Sequence, residues 1–186
     1  MQIICVNDGS TDSSAQILQR YAEKNSRIEI INKTNGGLSS ARNAAYLYIK
    51  GKYTLFVDSD DYLEYDTCLK TVTKAEQSNA DIVMFFWSTE FELNSKTLVH
   101  LKQMQKYDLN DTKCKISVLC FGDIWNKLWK SDFLINNELF CPEYLNYEAH
   151  YPVWKGFILA NRIAIVNESL YRYRVRKESI MNRAFS

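Results

Sequence analysis

The stretch YTLFVDSDDYL, residues 53–63, places three carboxylates directly after an apolar run. The apolar run predicts a buried strand, and Asp58, Asp60 and Asp61 follow its carboxyl end. Like charges this close repel one another and resist removal from water, so a positive charge or a set of hydrogen-bond donors should compensate them. Divalent cations such as Mg²⁺ and Mn²⁺ prefer carboxylate oxygens and commonly join them to phosphate oxygens. The alternative is a solvated turn in which one Asp caps the next helix, but the preceding buried strand favours the cation.

Strand and helix patterns alternate through the first half of the chain. Apolar runs predict four strands, at residues 3–6, 27–32, 53–58 and 81–87. The segments between them carry apolar side chains at helical spacing, so the alternation predicts an α/β sandwich with a mostly parallel central sheet. Ligands of such sheets bind beyond the carboxyl ends of the strands. Asp8 and the cluster of three acids follow two such ends, and we expect them on one rim.

Some individual helices and strands can also be predicted. One helix should carry an apolar face made of Leu38, Ala41, Ala45 and Tyr48. In the less regular second half, helices are predicted near residues 113–120, 131–136 and 152–160, followed by strands at 162–167 and 169–175. No internal repeat or linker interrupts the pattern, so we expect a single domain over residues 1–186.

The composition argues against several classes of protein. A chain of 186 residues that is 46% hydrophobic is long enough for one domain with its own core. Its 23 Lys and Arg against 22 Asp and Glu leave a net charge of +1, which gives no long-range field to attract nucleic acid. The five cysteines are an odd number without a C-x-x-C pair, which indicates reduced thiols rather than a disulfide framework or a zinc site.

Targeting signals are not recognisable in the sequence. No apolar segment approaches the roughly 18 residues that a membrane-spanning helix needs. The beginning, MQIICVNDGS, carries neither the basic region nor the long apolar region of a signal peptide. We therefore predict a cytoplasmic protein without a transmembrane segment, and peripheral association with a membrane stays open.

Five motifs in a fixed order carry more information than any one of them. They are IICVNDGSTDSS (3–14), NGGLSSARNAA (35–45), GKYTLFVDSDDYL (51–63), WNKLWKSDFL (125–134) and RIAIVNESLYRYRVRKESIMN (162–182). Singly, the first two are ordinary turn-forming sequences, and the second lacks the spacing of a phosphate-binding loop. Together the five closely resemble the family 2 glycosyltransferases with the GT-A fold, in particular bacterial members that build surface polysaccharides. The resemblance covers nearly the entire chain.

The resemblance implies a role for individual residues of these motifs. Asp8 matches the acid that hydrogen-bonds the nucleotide base, and Arg42 matches the basic residue of the nucleotide pocket. Asp58 and Asp60 match the family's D-x-D motif, in which the first acid lies near the ribose and diphosphate and the second ligates Mn²⁺ or Mg²⁺. The metal then offsets the charge of the diphosphate as the sugar leaves. Asp61 is a neighbour of these acids rather than a matched ligand.

The resemblance also implies a reaction, the metal-dependent, inverting transfer of a sugar from a nucleotide-diphospho-sugar donor to a glycan or lipid-linked acceptor. Residues 1–105 would then bind the nucleotide-sugar, and residues 106–186 would form the acceptor-side part of the single domain. Members of the family normally begin with a strand of the VSIIIPVYN type, central in the sheet, that this sequence lacks. The expected fold is therefore an N-terminally truncated GT-A domain.

The acceptor side departs from the family pattern at the catalytic base. The family carries an acidic pair, commonly Glu-Asp, whose Asp is the general base. In YLNYEAHYPVWKGF (144–157), Glu148 matches the Glu and Ala149 occupies the base position. Alanine cannot accept a proton, and a positioned base contributes about 10²–10⁴-fold to the rate. Glu148 or His150 could substitute, although a His beside aromatic residues is more often packed. The alternative function is a catalytically impaired nucleotide-sugar-binding protein or fragment.

Two further groups of side chains have roles that the sequence leaves open. The aromatic group could stack on a sugar acceptor, although its helical spacing favours the core: Trp125, Trp129, Tyr147, Tyr151 and Trp154. The basic group could approach a diphosphate or an anionic acceptor, or form a solvated strand face: Arg172, Arg174, Arg176 and Lys177.

Overall fold

The computed structural model describes residues 1–91, 97–99 and 122–175. Along the chain the elements are β1 (Ile3–Asp8), α1 (Ser14–Lys24), β2 (Ile28–Lys33), α2 (Gly37–Ala45), β3 (Tyr53–Leu55), β4 (Tyr62–Leu63), α3 (Thr67–Ser78), β5 (Ile82–Phe91), β6 (Thr97–Val99), β7 (Lys127–Lys130), α4 (Ser131–Asn136), α5 (His150–Leu159) and β8 (Ile163–Val175). The predicted alternation of strands and helices is present. The predicted helix near residues 113–120 lies outside the described residues.

These residues form two compact units. The first comprises residues 1–54, 122–123 and 130–159, and the second comprises residues 55–91, 97–99, 124–129 and 160–175. Each unit therefore combines several stretches of sequence. The expectation of one domain whose two parts meet at residue 105 stays a prediction.

The first unit begins with a strand–helix–strand element. Strands β1 and β2 pair in parallel. Parallel neighbours need a long crossover connection, and α1 forms it. The register sets Asp8 opposite Lys33 at the carboxyl ends of the two strands. This pairing fixes where the first predicted site residue lies.

Helix α2 does not bury the predicted apolar face. Its buried residues are Ser39 and Arg42, whereas Leu38 is 51% exposed. The regular α-helix ends at Ala45, and a single 3-10 turn over Tyr46–Tyr48 follows it. The prediction was wrong because this face contacts an irregular stretch of backbone, whose amides and carbonyls require polar partners.

The second unit is built on β5. Strand β8 pairs with β5 in parallel, while β7 and β6 pair with it antiparallel, and β4 pairs antiparallel with β8. One of these four pairings is parallel and three are antiparallel. This sheet is therefore mixed, which corrects the prediction of a mostly parallel central sheet. The short connection from β5 to β6 leaves no room for the crossover that a parallel pair requires.

Strand β8 is one long strand where the sequence predicted two. Its register against β5 shifts between Phe85, which faces Val166, and Phe86, which faces Ser169. The polar residues Asn167 and Glu168 lie at this shift. The bulge accommodates them, so the two predicted strands form one continuous strand.

The core of the second unit contains aromatic side chains from β5, β8 and the segment before β7. Phe85, Trp125, Leu170 and Tyr171 form one buried cluster, and Trp129 is fully buried. Trp125 and Trp129 therefore belong to the core, as their spacing favoured. Within the described ranges, no helix is long and apolar enough to cross a membrane.

Candidate functional site

The acidic turn after β3 is closed by Tyr171. The Asp61 amide donates to the Asp58 carbonyl at 3.0 Å, which forms the turn. The buried Tyr171 hydroxyl donates to Asp61 Oδ2 at 2.8 Å and accepts a bond from the Asp58 amide at 3.2 Å. The Arg174 amide donates to Asp61 Oδ1 at 2.8 Å. Both oxygens of Asp61 are therefore used to hold the turn against β8.

A stack of aromatic rings fixes the Tyr171 hydroxyl. The Tyr171 ring stacks on Trp125 with a centroid distance of 4.3 Å, and Trp125 lies nearly parallel to Tyr173 at 5.9 Å. Trp87 meets Trp125 edge-on at 5.3 Å. Burial and the charge of Asp58 raise the pKa of Tyr171, so its hydroxyl remains protonated and able to donate.

The charges of the acidic turn act on one another. Burial raises the pKa of Asp61, and the charges of Asp60 and Asp58 raise it further, against the hydrogen bonds from Arg174 and Tyr171. Asp61 is thus an anchor of the turn. Asp58 and Asp60 are partly exposed, so a ligand can reach this turn.

The acidic turn fits a divalent cation that takes further ligands from a substrate. In the part of the chain that the structure describes, no three His, Cys, Asp or Glu side chains converge to hold a metal ion. Asp58 and Asp60 nevertheless supply carboxylate oxygens, the ligands that Mg²⁺ and Mn²⁺ prefer. A cation bound there would complete its shell with phosphate oxygens and water, as Mg²⁺ commonly does.

In the first unit, Asp8 holds the loop that begins α2. Its carboxylate accepts bonds from Lys33 Nζ at 2.6 Å, from the Gly36 amide at 3.0 Å and from the Gly37 amide at 2.8 Å. Burial raises the pKa of Asp8, but these hydrogen bonds outweigh it, and the pKa lies below its usual value. The sequence did not predict Lys33 as a partner, because only the parallel register brings it beside Asp8.

The two glycine-containing motifs of this unit pack directly against each other. Gly9 has a φ of +72°, and a Cβ atom there would lie 2.7 Å from the Asn35 amide nitrogen. The NDGS turn and the NGG loop can approach this closely only without a side chain at Gly9. The structure therefore joins motifs that the sequence places 28 residues apart, as the contact from Asp8 to Gly36 shows.

Arg42 and Glu148, two predicted site residues, bind each other. Arg42 donates to Glu148 Oε1 at 2.5 Å, and their side chains are only 8% and 14% exposed. Sequence spacing gave no sign of this pair, which spans 106 positions. Arg42 therefore contacts the segment that the sequence resemblance predicts to form the acceptor side.

The turn around Ala149 starts helix α5. The Ala149 carbonyl accepts a bond from the Val153 amide at 3.2 Å. The His150 ring lies between Tyr147, at a centroid distance of 5.4 Å, and Trp154, at 5.0 Å. A Cβ atom at Gly122 would lie 1.8 Å from the His150 ring, so the glycine makes room for the imidazole. His150 is thus packed among neighbouring rings.

The remaining aromatic and basic candidates divide by burial. Tyr147, Tyr151 and Trp154 are 56%, 52% and 41% exposed, in contrast to the two buried tryptophans of the core. Arg172 forms an ion pair with Glu64. Arg174 is exposed, and Arg176 and Lys177 lie outside the described residues.

The fold and these contacts define an α/β protein with carboxylates at the ends of its strands. The family model described as glycosyl transferase family 2 matches residues 1–126. That is more than half of the chain, so the chain belongs to glycosyltransferase family 2, as the motifs predicted.

Individual relatives are bacterial glycosyltransferases. The putative glycosyltransferase EpsH of Bacillus subtilis is 30% identical over 98% of this chain and 55% of its own length. The glycosyltransferase GlyA of Streptococcus pneumoniae is 31% identical over 97% of the chain and 27% of its own length. The chain thus spans about half, or less, of these two curated relatives.

A solved structure shows the same fold. Staphylococcus aureus TarS in complex with UDP-GlcNAc matches with a TM-score of 0.81 at 23% identity, over 100% of this chain and 52% of that one. TarS is named a poly(ribitol-phosphate) beta-N-acetylglucosaminyltransferase. This likeness confirms the predicted GT-A fold class.

The anchoring of the acidic turn can be tested by removing one hydroxyl. Tyr171→Phe keeps the ring stack but removes two hydrogen bonds, the one that the hydroxyl donates to Asp61 and the one that it accepts from the Asp58 amide. We expect the free energy of unfolding, measured by urea denaturation, to fall by about 1–3 kcal/mol. The matched control is Tyr65→Phe, at a fully exposed tyrosine, which should change little. Equal effects of the two changes would contradict the anchoring role.

The Asp8 contacts predict a pH dependence of stability. Asp8→Asn keeps a hydrogen-bond acceptor but loses the charge that attracts Lys33, so we expect a loss of roughly 1 kcal/mol at pH 7. Folding lowers the pKa of Asp8 below its ordinary value of 3.8. The contribution of the charge is therefore complete above that value and disappears as the pH falls through the folded pKa.

The measurement is urea denaturation of both proteins at a series of pH values. The difference in unfolding free energy should be constant around neutrality and shrink below about pH 4. A difference that grows toward acid would show that Asp8 is not charged and paired in the folded protein.

Proposed function

We propose that this protein transfers a sugar from a nucleotide-diphospho-sugar to a hydroxyl group of a glycan or lipid-linked acceptor, in a metal-dependent reaction that inverts the anomeric centre. The observation that carries the proposal is the acidic turn, in which Tyr171 and Asp61 anchor a loop that presents Asp58 and Asp60. Membership of family 2 supports the transfer reaction. The UDP-GlcNAc complex of TarS supports a UDP-sugar as the first donor to test.

The acidic turn is the proposed site of the donor diphosphate. Asp58 is assigned to the ribose and diphosphate, and Asp60 to a Mn²⁺ or Mg²⁺ ion. A bound divalent cation would neutralise the charge that develops on the leaving diphosphate. The contribution of the protein itself is orientation, because the bonds from Tyr171 and Arg174 fix Asp61, and with it the turn.

Asp8 is the proposed contact to the nucleotide base. A carboxylate offers about four acceptor positions. Lys33 and the amides of Gly36 and Gly37 use three of them when each donor is counted once. The Gly36 amide also lies 3.2 Å from Oδ2, so an N–H group of a base would take the place of this longer contact. The lowered pKa keeps the carboxylate charged and accepting at neutral pH.

The proposed acceptor side is the turn around Ala149 and the exposed rings that follow it. Inverting transfer needs a base that removes the proton of the attacking hydroxyl. Glu148 and His150 are the candidate bases of this chain, but Glu148 binds Arg42 and His150 is stacked between two rings. Exposed aromatic rings can pack against the apolar face of a sugar, which gives Tyr147 and Trp154 a role in binding the acceptor.

A second candidate function is nucleotide-sugar binding with impaired catalysis. The observation that favours it is Ala149 at the expected base position, next to a glutamate that is already bound to Arg42. Both candidates share the donor site and differ in turnover. Separate tests of binding and of transfer distinguish them.

Donor binding is tested by the metal dependence of the thermal shift. With Mn²⁺ present, UDP at about 100 times its dissociation constant should stabilise the protein by about 2.7 kcal/mol, and the same UDP concentration should stabilise it much less with EDTA. Asp60→Asn should remove most of the metal-dependent increment. The matched control is Asp66→Asn, which changes an acid that binds Lys70 outside the turn. Equal shifts by UDP with and without Mn²⁺ would contradict the assignment of Asp60.

The base is tested by restoring an acid at residue 149. Ala149→Asp should raise the turnover of the intact protein at least about tenfold, the low end of what a positioned base supplies, and leave UDP affinity nearly unchanged. An acidic or amide side chain at the start of α5 can also cap the helix. Ala149→Asn is therefore the matched control, because asparagine caps equally well but accepts no proton.

Transfer is measured with one donor and a panel of acceptors. A gain from Asp that Asn does not reproduce supports the base assignment. If the protein with Ala149 is already fully active, and Glu148→Gln or His150→Ala abolishes that activity, then a neighbour of Ala149 is the base.

A further inference from the structure

Helix α2 carries a stripe of polar side chains on one face. Ser39, Arg42, Asn43 and Tyr46 follow the spacing i, i+3, i+4 and i+7, which aligns them along the helix and into the 3-10 turn after it. Ser39, Arg42 and Tyr46 are buried, at 7%, 9% and 5% exposure. The buried face of a helix is normally apolar, so this polar stripe requires a specific partner.

The partner is the irregular segment between α4 and α5. Tyr46 donates its hydroxyl hydrogen to the Leu139 carbonyl at 2.7 Å. Asn43 donates to the Cys141 carbonyl at 2.8 Å and accepts from the Cys141 amide at 2.9 Å. Ser39 donates to the carbonyl of Pro142 at 2.8 Å. Backbone outside regular structure needs such partners, and the polar stripe supplies them in reverse order, because the helix positions descend as the segment positions ascend.

Arg42 completes the stripe with a contact to a side chain. Its bond to Glu148 lies at the far end of the segment, one residue before Ala149. Removing either member would leave a mostly buried charge without this counter-ion, which is costly in a poorly solvated place. The pair therefore fixes the position of the turn that carries the expected base.

The backbone of this segment needs outside support. Tyr144 and Tyr147 adopt φ values of +63° and +59°, in the left-handed region that residues with a Cβ atom rarely occupy. Such conformations persist where the surrounding contacts determine them. The polar stripe holds the segment upstream of Tyr144, and the ion pair holds it directly after Tyr147.

We propose that Arg42 is a positioning residue that acts through Glu148, holding the turn at Ala149 in place for the acceptor, and that its contribution to nucleotide binding is minor. This inference rests on the proposed function and refines it, because the sequence resemblance assigned Arg42 to the nucleotide pocket. The two assignments differ in what an Arg42 variant loses. A nucleotide contact affects UDP affinity, whereas a positioning residue affects the transfer step and acceptor binding.

The experiment uses three variants of the intact protein: Arg42→Lys, Glu148→Gln and the double variant. Lysine keeps the charge but loses the rigid, planar donor geometry of arginine. UDP affinity with Mn²⁺ is measured by calorimetry, and kcat and acceptor KM are measured in the Ala149→Asp background as well as in the parent. Arg20→Lys, at an exposed arginine of α1, is the matched control.

We expect UDP affinity to stay within about twofold in all variants, while kcat divided by acceptor KM falls about tenfold or more in each single variant. The double variant should be no worse than Glu148→Gln alone, because Arg42 has nothing to position once its partner is changed. Hydrogen exchange at residues 144–150 should accelerate equally in the three variants.

Two results would overturn the inference. One is a tenfold loss of UDP affinity in Arg42→Lys that persists in the double variant, which identifies a direct nucleotide contact. The other is unchanged hydrogen exchange at residues 144–150 in both single variants. If the parent protein binds no UDP with Mn²⁺, the proposed function fails by itself, and the exchange experiment still decides whether Arg42 and Glu148 hold the turn.

Discussion

The constraint on which this structure depends is that a carboxylate removed from water must find donors. Three acids satisfy it with partners distant in sequence. Asp8 accepts a hydrogen bond from Lys33, 25 positions away in the sequence. Asp61 accepts one from the Tyr171 hydroxyl, 110 positions away, and Glu148 accepts one from Arg42, 106 positions away. Each contact ties a loop at the end of a strand or helix to an element formed elsewhere in the chain. The loops that carry the candidate chemistry are thereby held by the same bonds that stabilise their acids.

This requirement also separates acids that look alike in the sequence. In the acidic turn, both carboxylate oxygens of Asp61 accept hydrogen bonds from strand β8, so Asp61 stabilises the fold. Asp58 and Asp60 remain the acids of the turn proposed to meet a diphosphate and its cation. An Asp that anchors the turn and an Asp that is proposed to bind a ligand occupy adjacent positions. The bonds that Asp61 accepts from the Tyr171 hydroxyl and the Arg174 amide mark it as the anchor. Neither donor can be identified from the local sequence pattern.

The parts of the fold that depend on local pattern could be predicted, and those that depend on pairing could not. Apart from the short β4, which was not predicted, the strand and helix order from β1 to β5 follows from apolar spacing, and the family follows from five motifs in order. The mixed pairing around β5 and the continuous β8 depend on which strands meet, which periodicity does not encode. Helix α2 shows the limit most clearly. Its Leu38 was predicted to be buried, but Ser39 and Arg42 are buried instead, because irregular backbone rather than an apolar surface lies against that face.

The same reasoning explains how binding and turnover can be separated in such a protein. The expected base is one side chain at the start of α5, and nothing in the described contacts of the turn depends on that side chain. The Ala149 contact that starts the helix is made by its carbonyl, and the neighbouring ion pair is made by Glu148. An alanine at this position therefore leaves the turn, the polar stripe of α2 and the acidic turn of the second unit with all their described contacts. Loss of the base would lower the rate of the proposed transfer without removing the contacts that hold the proposed donor site, so binding and turnover are separate properties of this fold.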